Sequence, residues 1–75
     1  MANVTIDEIK QLVSNQMGTG SVNDTDRIVE DLGAESSDVA NIIAAVEDRY
    51  GIQVPEGAIK NIATVRDVYM AVQNA

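Results

Sequence analysis

Apolar residues recur along the chain mostly at helical spacing. Ile6, Ile9, Leu12, Val13 and Met17 fall on one face of a helix. Thr5 followed by Glu8 forms a capping-box pattern, and Asp7 and Glu8 suit the positive end of the helix dipole. Gly18 and Gly20 end that helix. A second stripe of Val39, Ile42, Ile43, Val46 and Tyr50 predicts a helix from Ser36 or Ser37 to Tyr50, closed by Gly51. Ser36 and Ser37 are both good N-cap residues, and Asp38 suits the first turn. Thr64 and Asp67 form a variant capping box that opens a last helix, with Val65, Val68, Tyr69 and Val72 inward. Before it, Ile52-Gln53-Val54-Pro55 alternates as a strand does, but it is short and ends at proline, so it reads as an extended connection. Glu56 to Asn61 holds one or two helical turns, weakened by Gly57.

The predicted fold is therefore all-α, with three main helices, one short one, no repeat and no domain boundary within residues 1–75. The connection from Gly18 to about Glu35 is rich in Gly, Ser, Asn, Asp and Thr, and is long for so small a domain. Ile28-Val29 and Leu32 are its expected apolar anchor, and Gly33 allows a tight turn after it. Phe and Trp are absent, so Val, Ile, Leu, Ala and Met must build the core. Such an interior either packs closely or opens a slot between helices for an apolar chain, and the residues do not choose between the two.

Charge narrows the partners. Between Asp24 and Asp48, the acids Asp24, Asp26, Glu30, Asp31, Glu35, Asp38, Glu47 and Asp48 stand against Arg27 alone, which accounts for the whole net charge of −7, since the remainder balances. A field of this sign argues against nucleic acid and favours basic protein surfaces, although acidity also serves plain solubility. No apolar run is long enough to span a bilayer, and Met-Ala-Asn-Val-Thr-Ile-Asp-Glu is not a signal peptide. A cytoplasmic, monomeric protein is expected.

Candidate chemistry is sparse. The chain has no His and no Cys, so the usual neutral-pH base, the commonest metal ligand and any thiolate site are missing. No base stands in a context that activates a serine nucleophile, and catalysis is not expected. Asn23-Asp24-Thr25-Asp26 opens like a calcium loop, but the following positions hold Arg27 and Ile28 and the required glycine is absent. Gly18-Thr19-Gly20 is not a dinucleotide fingerprint, because Asn23 stands where its last glycine belongs. One constellation remains, Asp31-Leu32-Gly33-Ala34-Glu35-Ser36-Ser37, which sets a serine after a glycine turn at a helix start. Free N–H groups and the dipole there favour an attached phosphoester. A serine in that place is more commonly just an N-cap.

The segment Glu30-Asp31-Leu32-Gly33-Ala34-Glu35-Ser36 closely resembles the acyl carrier protein signature, Asp-Leu-Gly-Ala-Asp-Ser-Leu. The likeness continues through Val46-Glu47-Asp48-Arg49-Tyr50-Gly51-Ile52, Val54-Pro55 and Ile62-Ala63-Thr64-Val65-Arg66-Asp67, covering roughly residues 28 to 72. The resemblance implies a four-helix bundle with a 4′-phosphopantetheine arm, drawn from coenzyme A, on Ser36. It implies a carrier that holds an acyl or related intermediate as a thioester for fatty acid, lipid or secondary-metabolite synthesis. Its implied partners are a phosphopantetheinyl transferase and acyl-transferring or synthase enzymes with basic docking surfaces. The partner face would include Glu35, Ser37, Asp38, Asn41, Ala44, Glu47 and Asp48. Three positions depart from the family pattern. Glu35 replaces an aspartate, Ser37 replaces an apolar residue that helps partners dock, and Asn41 stands where an acid is common. Acids thus flank a neutral centre, which points to a specialised carrier. Ser37 also keeps open an unmodified adaptor that acts only by binding proteins.

Overall fold

The computed structural model describes residues 3–75. Met1 and Ala2, which open the N-terminal segment read as not a signal peptide, lie outside the described residues. Helix α1 spans Ile6–Met17 and begins as its capping pattern requires. Thr5 Oγ1 accepts the Glu8 N–H at 3.2 Å, and Glu8 Oε1 accepts the Thr5 N–H at 3.0 Å. It ends at Gly18, whose φ of 68° is left-handed backbone that a side chain resists. Helix α2 spans Ser36–Tyr50, α3 spans Glu56–Lys60 and α4 spans Val65–Gln73. No strand forms among the described residues, and Ile52 to Pro55 is an extended connection as expected.

Helices α1, α2 and α4 pack against one another. Ile9, Leu12 and Val13 meet Ile42, Ile43 and Val46, and Val65, Val68 and Val72 complete the core. The fully buried side chains are all Ile or Val, each stabilising by about 1.5–3 kcal/mol through apolar burial. No polar residue is buried among the described residues. The Tyr50 hydroxyl is the buried side-chain polar atom left without a partner, and desolvation raises its pKa. Val39 and Tyr50, expected within the buried stripe, are half-buried at its edges.

The long connection is ordered by bonds to the start of α4. The Arg66 N–H donates to Asp24 O at 2.8 Å, Val65 N–H to Asp26 O at 3.1 Å, and Ile28 N–H to Ala63 O at 2.8 Å. Residues 27–33 then close one turn, with the Gly33 N–H on Val29 O at 3.1 Å and the Ala34 N–H on Ile28 O at 3.1 Å. Gly33 has a φ of 73° there, so the turn needs glycine. Ile28 is 1% exposed and anchors the segment, with Leu32 packed against the core beside it. Val29 corrects the expected anchor: it is 53% exposed. Residues four apart in a helical turn share a face, whereas the next residue is rotated by about 100°. Val22 and Ala34, each 6% exposed, join the core instead.

Candidate functional site at the start of helix two

Gly33 turns the chain, Ala34 is buried, and Glu35 in extended backbone is the N-cap residue of α2. This corrects the expectation that Ser36 or Ser37 caps the helix. Ser36 is the first helical residue and Ser37 the second. The start is closed by other groups. Asp38 Oδ2 accepts the Glu35 N–H at 2.9 Å, and the Asp38 and Val39 N–H groups donate to Glu35 O at 3.0 and 3.1 Å. Ser36 and Ser37 are both exposed, and among the described residues neither hydroxyl makes a hydrogen bond. Their backbone N–H groups point along the open end of the helix, where an anion is favoured. An exposed hydroxyl with no structural duty, beside free N–H donors, fits a phosphoester.

The other expected site residues divide in two. Glu35, Ser37, Asn41, Ala44 and Asp48 are exposed, and the last four share a helix face by their spacing. Ala40, not singled out from the sequence, is exposed as well. Asp38 and Glu47 are half-buried, and both carboxylates are engaged by backbone. Asp38 holds the Glu35 N–H, while Glu47 Oε2 accepts the Val54 N–H at 2.9 Å and fastens the extended connection. The exposed face therefore carries acid at its two ends, Glu35 and Asp48, and neutral small residues between.

The acidic stretch neutralises its own cation. Arg27 Nε lies 3.2 Å from Glu30 and 3.4 Å from Asp31. Asp31 also accepts the Arg27 backbone N–H at 2.8 Å, and that bond, followed by the guanidinium, lowers its pKa. Such exposed pairs add little stability. The calcium-like run is engaged in turns: Asp26 Oδ2 accepts the Asn23 N–H at 2.8 Å. No group of three or more metal-type side chains gathers among the described residues. An apolar surface groove of about 560 Å³, lined by Pro55, Ala58, Ile62, Met70 and Ala71, lies between the α3 region and α4 and does not include Ser36.

Comparison with known proteins gives a family. The model described as "Phosphopantetheine attachment site" matches residues 7–72. The chain is 39% identical to an acyl carrier protein of Wolinella succinogenes over 64 residues, covering 83% of this chain and 84% of that one. It is 34% identical to an acyl carrier protein of a Sulfurovum strain over 70 residues, covering 91% and 93% of the two chains. An acyl carrier protein of Campylobacter hominis is 30% identical over 70 residues, covering 91% and 89%.

Proposed function

The chain belongs to the phosphopantetheine-binding acyl carrier family, and from that premise we propose that Ser36 bears the arm. It is a carrier and not an enzyme, and its cofactor is 4′-phosphopantetheine. When bound, the arm supplies a terminal thiol that holds an acyl or related group as a thioester. The observation that carries the Ser36 assignment is the free, exposed hydroxyl at the first position of α2, where Glu35 and Asp38 close the helix start.

Attachment needs a base from elsewhere. Ser36 Oγ attacks the phosphorus on the pantetheine side of the coenzyme A pyrophosphate. An O–P bond forms, the P–O bond to the second phosphate breaks, and adenosine 3′,5′-bisphosphate leaves with the electron pair. The serine proton passes to a base on the transferase; among the described residues no acceptor bonds the hydroxyl. The resulting phosphodiester stays beside the first N–H groups of α2.

Partner enzymes with basic surfaces dock on the exposed face of α2, through Glu35, Ser37, Asn41, Ala44 and Asp48. Asp38 and Glu47 shape its edges. The neutral centre at Asn41 and Ala44 weakens electrostatic steering there and marks a specialised carrier. Replacing Asn41 with Glu is expected to raise the rate with a standard fatty-acid elongation set. Equal, normal rates for both forms would remove the specialisation. Residues 1–75 act as one domain, as a monomer in the cytoplasm; the shared core of α1, α2 and α4 supports the first of these statements. No helix among the described residues is long and apolar enough to cross a membrane.

Ser37, standing where the family has an apolar residue, is the feature that keeps one other reading open, an adaptor that is never modified. Intact mass separates the two. The native chain, incubated with coenzyme A and a broad-specificity phosphopantetheinyl transferase, is expected to gain one phosphopantetheine, and Ser36→Ala to gain none. A gain that survives in Ser36→Ala moves the site, with Ser37 the first suspect. An unmodified mass in protein from its native cell supports the adaptor.

A further inference from the structure

Val29 is the feature that the fold does not explain. Its neighbours Ile28 and Leu32 pack toward the core, and its own side chain is 53% exposed. Its carbonyl accepts the Gly33 N–H, a bond any residue would supply. A polar side chain would fit the turn equally well. The other exposed large apolar residue among those described is Met70, 41% exposed, which lies on the α3–α4 groove. Single exposed apolar residues are ordinary, so position must decide.

Position points toward Ser36. The turn that presents Val29 closes with the Ala34 N–H on Ile28 O, and Glu35 is the only residue left before the serine. The molecule measures 28 × 22 × 19 Å. A specific protein interface covers about 800 Å² of each partner, a patch about 16 Å in radius. An enzyme that seats Ser36 near the middle of such a patch also covers the 27–33 turn. Interfaces draw their energy from an apolar centre inside a polar rim. The α2 face offers only Ser37, Ala40, Asn41 and Ala44 between its acids. Of the two exposed large apolar side chains among the described residues, Val29 is the one on the turn that leads into Ser36, and Glu30 and Glu35 are exposed in the same stretch.

We propose that the docking surface runs from α2 past Ser36 onto the 27–33 turn, and that Val29 is its apolar anchor. The occupant is the transferase that modifies Ser36, presenting an apolar hollow rimmed by lysine or arginine. This rests on the assignment of the arm to Ser36. The test is steady-state transfer of phosphopantetheine from coenzyme A to the full chain by a purified broad-specificity transferase. Val29→Ser is expected to raise KM about fivefold, the loss of one valine contact, with kcat nearly unchanged. Val29→Ile should restore the native KM. The Val29→Ser effect should persist at high salt, whereas a smaller effect of Glu30→Gln should fade as charges are screened. Thermal unfolding of Val29→Ser should match the native chain, which separates docking from folding. A native KM for Val29→Ser, a fall in kcat alone, or a KM change accompanied by lost stability overturns the anchor while the Ser36 assignment stands. No mass gain on the native chain, together with an unmodified mass in protein from its native cell, overturns both.

Discussion

Thr64 opens α4 and Ser36 opens α2, and one residue ties the two corners together. The Ile28 N–H reaches Ala63 O just before α4, and Ile28 O receives the Ala34 N–H just before α2. At α4 the capping groups are engaged. Thr64 Oγ1 accepts the Asp67 N–H at 3.1 Å, and Asp67 Oδ2 accepts the Thr64 and Ala63 N–H groups at 3.0 and 2.9 Å. At α2 the hydroxyl stands one position inside the helix, while Glu35 and Asp38 close the start. A hydroxyl at a helix start is thus structural or available according to a one-residue shift in register. The α4 corner holds the fold and the α2 corner leaves a hydroxyl for chemistry.

The comparison can be broken most severely at the shared residue. Ile28→Ala leaves a cavity beneath both corners and is expected to cost about 2–5 kcal/mol, measured by urea unfolding. A domain of this size holds only on the order of 5 kcal/mol, so the variant should be partly unfolded. A cost well under 1 kcal/mol would show that the corners are held independently. Thr64→Ala removes a cap in use and should cost about 1 kcal/mol by the same measurement.

Acid provides a gentler probe of the α4 corner. The Thr64 backbone N–H holds Asp67 below the usual aspartate range, helped by the Ala63 N–H and opposed by desolvation. A carboxylate depressed in the folded state stabilises fully above its unfolded pKa and loses that contribution as pH falls through its folded value. Stability should therefore decline below about pH 4. Asp67→Asn should flatten part of that decline in a series of thermal unfolding curves. An unchanged acid slope would assign the decline to other carboxylates, Asp31 first. The smallest effect expected is for Ser36→Ala, within about 0.5 kcal/mol of the native chain. A loss as large as that of Thr64→Ala would mean that Ser36 is a working cap, and the contrast would collapse.

Three of the four helices lie where the apolar spacing and the capping pairs put them, and the short α3 falls inside Glu56 to Asn61. Both Thr-opened capping boxes were legible because each joins residues three apart. The serine corner was legible as a place but not as a geometry. Two adjacent serines, each a good cap, cannot reveal that Glu35 takes the cap position. The engagement of Glu47 was hidden because its partner, Val54, lies beyond the end of the helix. Val29 had a local signal, the four-residue spacing of Ile28 and Leu32 that excludes the residue between them from the same face.

The sequence by itself determined the elements of this carrier, because helix periodicity, capping pairs and glycine stops act within a few residues. It also carried the family, through motifs held in order from Glu30 to Asp67. Tertiary structure decided which of those residues are free. Pairing of residues 24–28 with 63–66 orders the long connection, buries Ile28 and leaves Val29 in solvent. Whether a carboxylate faces a partner or a backbone N–H depends on chain segments brought together only when α1, α2 and α4 close their common core. Those contacts span long sequence separations, and no local pattern records them.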